Sequence, residues 1–294
     1  MFDIVIPTYR IDPELLDKCL ESVSKQTFID YTVWIVDGTP PDADTYQDCL
    51  DVVAKYPDFN WFTQVEKGVS HARNEAAAKG THPFIAWLDA DDYWYSEHLA
   101  EIASCIDKST EDHVLYYNAG DVRLTMVGAK SEYITMKTMN YFETHDEWPP
   151  RYHGMMWRKY ATLFPSTAVC RRTRFEEIGG WPTDMWVGED TVLWYLMCGD
   201  GRVDKKVYLS YQNDFVGGFR LHEVDYFEKG QNPFADLYGT EAETHLNNQM
   251  EVGFLKYFGE PWVMEHQPSD LSKEEWSAIV EGRPHFWSYI SNEL

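Results

Sequence analysis

The stretch Phe84-Ile85-Ala86-Trp87-Leu88-Asp89-Ala90-Asp91-Asp92 is an apolar run that ends abruptly in three carboxylates. A short apolar run bounded by a polar turn reads as a buried strand, Phe84–Leu88. Three carboxylates this close repel one another, and burying them unpaired is costly. A divalent cation relieves that cost. Mg²⁺ and Mn²⁺ favour carboxylate oxygens together with the phosphates of a substrate. The same turn, left in solvent, would do no more than cap the helix that follows it.

Working outward, strands and helices alternate over the first 120 residues. Phe2–Ile6 is a short apolar run closed by Pro7. Asp12 is an N-cap candidate with Pro13 at the first helical position. Leu15, Leu16, Cys19, Leu20 and Val23 then share one helical face. Further strands are expected at 32–36, 60–65 and 114–117. Helices are expected at 44–55, 70–79 (closed by Gly80) and 96–106. This order predicts an α/β fold with a mostly parallel sheet flanked by helices. Ligands bind beyond the carboxyl ends of the strands in such sheets. Those ends carry Thr8-Tyr9-Arg10, Asp37 and Asp89 to Asp92. Residues 121–165 are irregular and read as an insertion or connection beside the cleft. Residues 223–294 read as an appended helical region, with helical patches near 241–258 and 272–281. The expected organisation is thus a domain over 1–222, divided at about residue 120 into two halves, with an extension over 223–294.

Composition narrows the function. Hydrophobic residues make up 44% of the 294, which excludes a disordered chain. Against 49 Asp and Glu stand 25 Lys and Arg, a net charge of −24. Such a surface repels nucleic acid and anionic lipid. The short basic cluster Arg171, Arg172 and Arg174 leaves a local anionic contact open, a modified DNA base included. Five cysteines, none in a CxxC pair, fit reduced thiols in a cytoplasmic protein. Neither a leader nor an apolar run long enough to span a membrane is evident.

Several segments together resemble the family 2 glycosyltransferases of GT-A fold. They are Ile4-Val5-Ile6-Pro7-Thr8-Tyr9-Arg10, Gln26-Thr27-Phe28 with Trp34 to Thr39, Glu66 to Asn74, Leu88 to Asp92 with Trp94, and Gly179-Gly180-Trp181 followed by Gly188-Glu189-Asp190 and Leu193-Trp194. Each is weak alone, but their order is informative. The resemblance implies an inverting transfer of sugar from a nucleotide-sugar, a UDP-sugar by preference, onto an acceptor hydroxyl. It assigns Pro7, Thr8, Tyr9, Arg10, Asp37, Lys67, Arg73, Asp89 and Ala90 to the donor. Asp91 and His222 become ligands of Mn²⁺ or Mg²⁺, and Trp181 and Glu189 acceptor contacts. Asp190 becomes the general base that takes the acceptor's proton. Adjacent carboxylates in a partly closed cleft raise one another's pKa, which suits a base.

This chain departs from the family pattern at two places: Val36 precedes Asp37 where a second aspartate is common, and Arg10 stands where Asn is frequent. Two other readings keep the fold. A sugar nucleotidyltransferase would open on a Gly-rich phosphate loop, which Pro7-Thr8-Tyr9-Arg10 is not. A non-catalytic binding module would have no need of Asp89, Asp91 and Asp190 together.

Overall fold

The computed structural model describes residues 1–109, 113–124, 134–137, 164–185, 188–198, 210–220 and Lys256. His222, the stretch containing Trp148 to Trp157 and the helical patches expected after residue 223 lie outside the described residues, Lys256 excepted. The strands are β1 (Phe2–Thr8), β2 (Tyr31–Asp37), β3 (Asn60–Thr63), β4 (Phe84–Trp87), β5 (Leu115–Leu124), β6 (Ile134–Lys137), β7 (Ala168–Arg171) and β8 (Ser210–Arg220). The helices are α1 (Pro13–Ser24), α2 (Tyr46–Val53), α3 (Val69–Ala77), α4 (His98–Lys108), α5 (Arg172–Glu177) and α6 (Glu189–Cys198).

All eight strands form one sheet in the order β3-β2-β1-β4-β7-β5-β6, with β8 also paired to β5. β3, β2, β1 and β4 are mutually parallel. β7 runs against both β4 and β5, and β6 against β5, while β8 is parallel to β5. Six strands therefore share one direction, and the sheet is mixed but mostly parallel, as its βα alternation predicts. β5 is longer than expected, and β6, β7 and β8 are additional. Four-residue strands such as Ala168-Val169-Cys170-Arg171 carry too little periodicity to stand out from a loop.

Side chains of β1 alternate between two cores. Phe2, Ile4 and Ile6 pack with Leu16, Leu20, Val23, Leu99 and Ile102 of α1 and α4. Val5 packs on the opposite face with Ala72, Ala76, Trp87, Trp181 and Trp194. Helices thus cover both faces, so the strands can be apolar throughout. Asp12 caps α1 as expected, its Oδ1 accepting from the Glu14 N–H at 2.8 Å. Helix α4 begins two residues later than expected because Gln26 receives its start: Oε1 accepts from Leu99 N (3.0 Å) and Nε2 donates to the Tyr95 carbonyl (2.8 Å). The Gln26-Thr27 pair is therefore a joint between α1 and α4.

The basic cluster is not a surface patch. Arg172 is buried, with Nη2 donating to Asp3 Oδ2 (2.7 Å), Nε to the His82 carbonyl (2.6 Å) and Nη1 to the Ala77 carbonyl (2.8 Å). Buried Arg174 donates to the carbonyls of Leu196 and Met197 at the end of α6. Arg171 donates to the His113 carbonyl and lies over the Phe84 ring. Two of the three arginines are thus spent inside the protein, and the expected anionic contact loses its basis. Gly80 likewise has a different purpose. It is absent from the glycines of positive φ, and a Cβ there would come within 2.2 Å of the Asp3 carboxyl carbon. Its missing side chain makes room for the Asp3–Arg172 pair.

Asp3 also accepts from Trp34 Nε1 (2.9 Å) and from the His82 N–H (2.7 Å). Among the described residues, Asp3→Ala would leave Arg172 only the exposed Glu176 as an ionic partner, at 3.6 Å. Breaking a buried pair from one side costs about 3–5 kcal/mol. Urea unfolding of Asp3→Ala should show a loss of that size, whereas a loss typical of surface substitutions would mean the pair is not a clamp.

Candidate active site

A cleft of about 700 Å³ opens at the carboxyl ends of β1, β2 and β4. Its walls include Pro7, Thr8 and Tyr9 after β1, Gly38 after β2, Lys67, Gly68, Val69, Ala72 and Arg73 of α3 and its approach, and Asp89, Ala90 and Asp91 after β4. Seven of the nine residues expected to meet the donor line it, and so does Asp91. The other two, exposed Arg10 and buried Asp37, adjoin the lining residues Tyr9 and Gly38 in sequence.

Asp37 is buried, and its Oδ1 accepts from Thr8 Oγ1 and from the Thr39 N–H, both at 2.9 Å. Thr39 Oγ1 in turn accepts from Arg10 N at 2.7 Å. The ends of β1 and β2 are thereby fastened together. Arg10 adopts φ 49°, the left-handed region where Asn is far commoner than Arg. Its guanidinium lies 5.8 Å from the centre of the exposed Tyr9 ring. Gly38 must lack a side chain, since a Cβ would sit 2.3 Å from Gln64 Oε1. The loop before α3 is held by Glu75, whose two carboxylate oxygens accept from Val65 N and Glu66 N at 2.8 Å each. Lys67 is therefore presented from an ordered loop. The N-terminal turn of α3, also in the wall, favours negative charge.

The three carboxylates of the β4 turn part company. Asp92 is buried and accepts from Ser166 Oγ. Ser166 also accepts from Asp89 N at 3.0 Å, and its carbonyl accepts from Trp94 Nε1 at 2.6 Å. Ser166 escaped the sequence reading because a lone serine in a loop carries no signal. Asp91 faces the cleft. Asp89 accepts from Arg73 Nη2 at 2.7 Å. The expected cluster of three is thus one buried carboxylate and two in the cleft wall, of which Asp89 is held by Arg73.

Arg73 joins the two halves of the site. Its side chain is 5% exposed and reaches Asp89 on one side and Glu189 Oε1 (Nη1, 3.3 Å) on the other. Its guanidinium carbon lies 4.2 Å from the centre of the Trp181 ring. Burial pulls the Arg73 pKa down, but Asp89, Glu189 and Asp190 outweigh it and hold the group above its ordinary value. For Glu189 the balance reverses. Burial and the neighbouring Asp190 outweigh Arg73 and push its carboxyl up to about 7. Trp181 is buried, edge-on to Trp87 and Trp194 at 5.2 and 5.6 Å, and backs Arg73 instead of lining the cleft. Asn74 fixes it from α3, with Nδ2 donating to its carbonyl and Oδ1 accepting from its N–H, both 2.9 Å. Gly180 (φ 82°) permits this approach, since a Cβ would come within 2.6 Å of Asn74 Oδ1.

Among the described residues no group of three or more His, Cys, Asp or Glu could hold a metal ion. A cation shared with a ligand needs fewer protein groups. A diphosphate brought beside Asp91 would supply the remaining oxygens and, without a cation, would face like charge. The donor set fits such a shared ion.

Comparison with known proteins agrees with this geometry. Residues 3–164, more than half of the chain, match the family described as glycosyl transferase family 2. The succinoglycan biosynthesis protein ExoW of Rhizobium meliloti is 27% identical over 240 residues, covering 78% of this chain and 71% of that protein. The uncharacterized glycosyltransferase YwdF of Bacillus subtilis is 28% identical over 185 residues, 62% of each chain. In fold, residues 1–349 of S. aureus TarS in complex with UDP-GlcNAc align with 95% of this chain and 70% of that one (TM-score 0.57, 18% identity). The mannosyltransferase PcManGT of Pyrobaculum calidifontis, in complex with GDP-Man and Mn²⁺, aligns with 99% and 83% (TM-score 0.54, 15% identity). The chain belongs to glycosyl transferase family 2. It is a transferase enzyme, and its sheet is that of the GT-A glycosyltransferases.

Glu189 makes the site costly at neutral pH. Its carboxyl titrates near 7 when folded and near its ordinary value of 4.5 when unfolded. Between those values the folded chain keeps a proton the unfolded chain has lost. The associated stability is complete below the unfolded value and disappears as pH rises through 7. Glu189→Gln should therefore melt higher than the wild type at pH 8, with the gain shrinking towards pH 5. A lower melting temperature at pH 8 would mean that attraction to Arg73 outweighs burial.

Proposed function

We propose that the chain is an inverting glycosyltransferase that binds a UDP-sugar in this cleft and transfers the sugar to an acceptor hydroxyl, with Asp190 as general base. The observation that carries the proposal is the Arg73 junction. It brings Asp89 of the donor cleft and Glu189, the neighbour of Asp190, onto one guanidinium, although 100 residues of sequence separate the two acids. In this reading donor and base would stand side by side, as a direct displacement requires.

In this reading the nucleoside lies along the β1 and β2 ends, where Tyr9 offers an exposed ring and Asp37 a fixed carboxylate. Arg10, Thr8 and Pro7 shape the same end. The diphosphate lies against the N-terminal turn of α3, with Lys67 as the cationic side chain of its approach loop. Asp91, joined by His222, would hold Mn²⁺ or Mg²⁺ together with the diphosphate oxygens. When bound, the ion offsets the charge that builds on the departing nucleoside diphosphate. Asp190 takes the proton of the acceptor hydroxyl as that oxygen attacks the anomeric carbon. Trp181 supports this side from beneath, and Glu189 is the acid beside it. The acceptor is a saccharide or another hydroxyl-bearing molecule. Among the described residues no helix is long and apolar enough to cross a membrane. The buried free thiols Cys19, Cys49, Cys105 and Cys170 support a reducing, cytoplasmic setting. Residues 1–222 would form the transferase domain and 223–294 its extension. Lys256, from that extension, pairs with Asp184 just after Trp181.

UDP with MnCl₂ should raise the melting temperature of the wild type by mass action, and GDP should raise it less. In Asp91→Ala the manganese-dependent part of that shift should disappear. A full shift in Asp91→Ala would remove the metal from the reading, and no shift with either nucleotide would remove the donor.

Asp190→Asn should keep the UDP shift while release of UDP from UDP-sugars falls by about 10²–10⁴-fold, the size expected when a general base is lost. Undiminished release would show that another group takes the proton.

A further inference from the structure

Arg73 has two ionic partners of unequal kind. The Asp89 bond is short, at 2.7 Å, and Asp89 is 31% exposed on the cleft side. The Glu189 bond is long, at 3.3 Å, and Glu189 is only 14% exposed. Arg73 reaches the cleft wall but is only 5% exposed, and its Nε has no acceptor among the described residues. Trp181 beneath it is equally fixed, held by Asn74 and by the rings of Trp87 and Trp194. Held this tightly, the guanidinium responds most readily by changing how it is shared between the two carboxylates.

A nucleotide in the cleft engages Asp89 from its open side, either through a hydroxyl or through the ion beside the diphosphate. Whatever share of that carboxylate it takes is lost to Arg73. A buried guanidinium that loses part of one anion must draw closer to the other, because leaving it uncompensated is far costlier than a small movement. Glu189 is the first residue of α6, and Val192 N–H already bonds the Gly188 carbonyl at the same turn. A pull on the Glu189 side chain is thus a pull on the helix that carries Asp190.

We infer that Arg73 transmits nucleotide occupancy of the cleft to the first turn of α6, with Glu189 as the positioning residue that receives it and sets Asp190. The inference rests on the reading of the cleft as a nucleotide site. It adds a role for Glu189 that does not depend on contact with the acceptor. Coupling of this kind is reciprocal, since a firmer α6 must also favour the nucleotide-bound cleft. The charged groups around Glu189 are Asp190 on its own helix, Arg73 from α3 and Asp89 from the β4 turn. Burial and the nearby Asp190 oppose full ionisation of Glu189, so a partner freed from Asp89 has something to gain there.

Hydrogen exchange with UDP and MnCl₂ tests the inference without needing the sugar or the acceptor. In the wild type, UDP should slow exchange in residues 64–73 of the cleft and also in residues 188–198, where α6 gives no side chain to the cleft wall. The slowing in α6 should be about fivefold or more, the lower end of typical coupling between sites. In Glu189→Gln, which keeps the shape but not the charge, the cleft should still be protected and the gain in α6 should shrink. In Glu189→Ala it should vanish. Turnover should separate the same way, with kcat falling in both variants while the KM for donor changes little. Protection of α6 that persists in Glu189→Ala overturns the coupling and leaves the nucleotide site standing. Absence of protection in residues 64–73 of the wild type overturns the nucleotide site, and the coupling with it.

Discussion

One buried guanidinium organises the site. A charged group that is 5% exposed survives only if anions meet it inside the protein. Asp89 comes from the end of β4, Glu189 from the start of α6, and the face of Trp181 closes the third side. Much of the surrounding architecture delivers these partners. Asn74 holds the backbone of Trp181 by two hydrogen bonds, Gly180 lets it come that close, and Ser166 fixes the backbone from which Asp89 projects. The catalytic reading depends on the same convergence, since it brings the donor wall beside the helix that carries Asp190.

A second buried arginine shows what a purely structural counterpart looks like. Arg172 ties α5 to β1 at the opposite end of the strands, with all three of its nitrogen positions donating: to Asp3, to the His82 carbonyl and to the Ala77 carbonyl. It does not line the cleft. Arg73 ties α3 to α6 in the same manner, but one nitrogen has no acceptor among the described residues and one partner opens on the cleft. Both clamp the parallel half of the sheet to later parts of the chain. Full satisfaction makes the first inert. Incomplete satisfaction beside a cavity leaves the second able to respond.

How much of this could be read from sequence follows from how local each cause is. β1 to β4 and α1 were legible because their apolar periods and the Asp12-Pro13 cap are local signals. β7 was not, because its four residues become a strand only by slotting between β4 and β5. The basic cluster misled because charge in sequence does not say which side of the chain is buried. Arg172 needs Asp3, some 170 residues away, to make sense. Gly80 was given a helix-closing role on local grounds, whereas its real constraint is the carboxylate of the same Asp3. Most of the cleft wall was legible from family motifs. The Arg73–Glu189 contact was not, since each motif had been assigned its partner in the ligand and none its partner in the protein.

The β4 turn shows why a motif is a poor unit of function. Asp89, Asp91 and Asp92 look equivalent in sequence, and as three adjacent anions they would repel strongly if they shared one environment. The fold gives each a different surrounding. Ser166 takes Asp92 into the interior, Arg73 pairs with Asp89 at the cleft wall, and Asp91 lines the cleft beside it. Repulsion among the three is thereby reduced within the protein itself. A similar division holds between Glu189 and Asp190. One acid is paired with Arg73 inside the protein, its pKa raised by burial and by its neighbour. The other, Asp190, is the second residue of the same helix and raises the pKa of its neighbour. Neighbouring carboxylates in this protein are separated by assigning their partners, and that assignment gives each a distinct part in the chemistry.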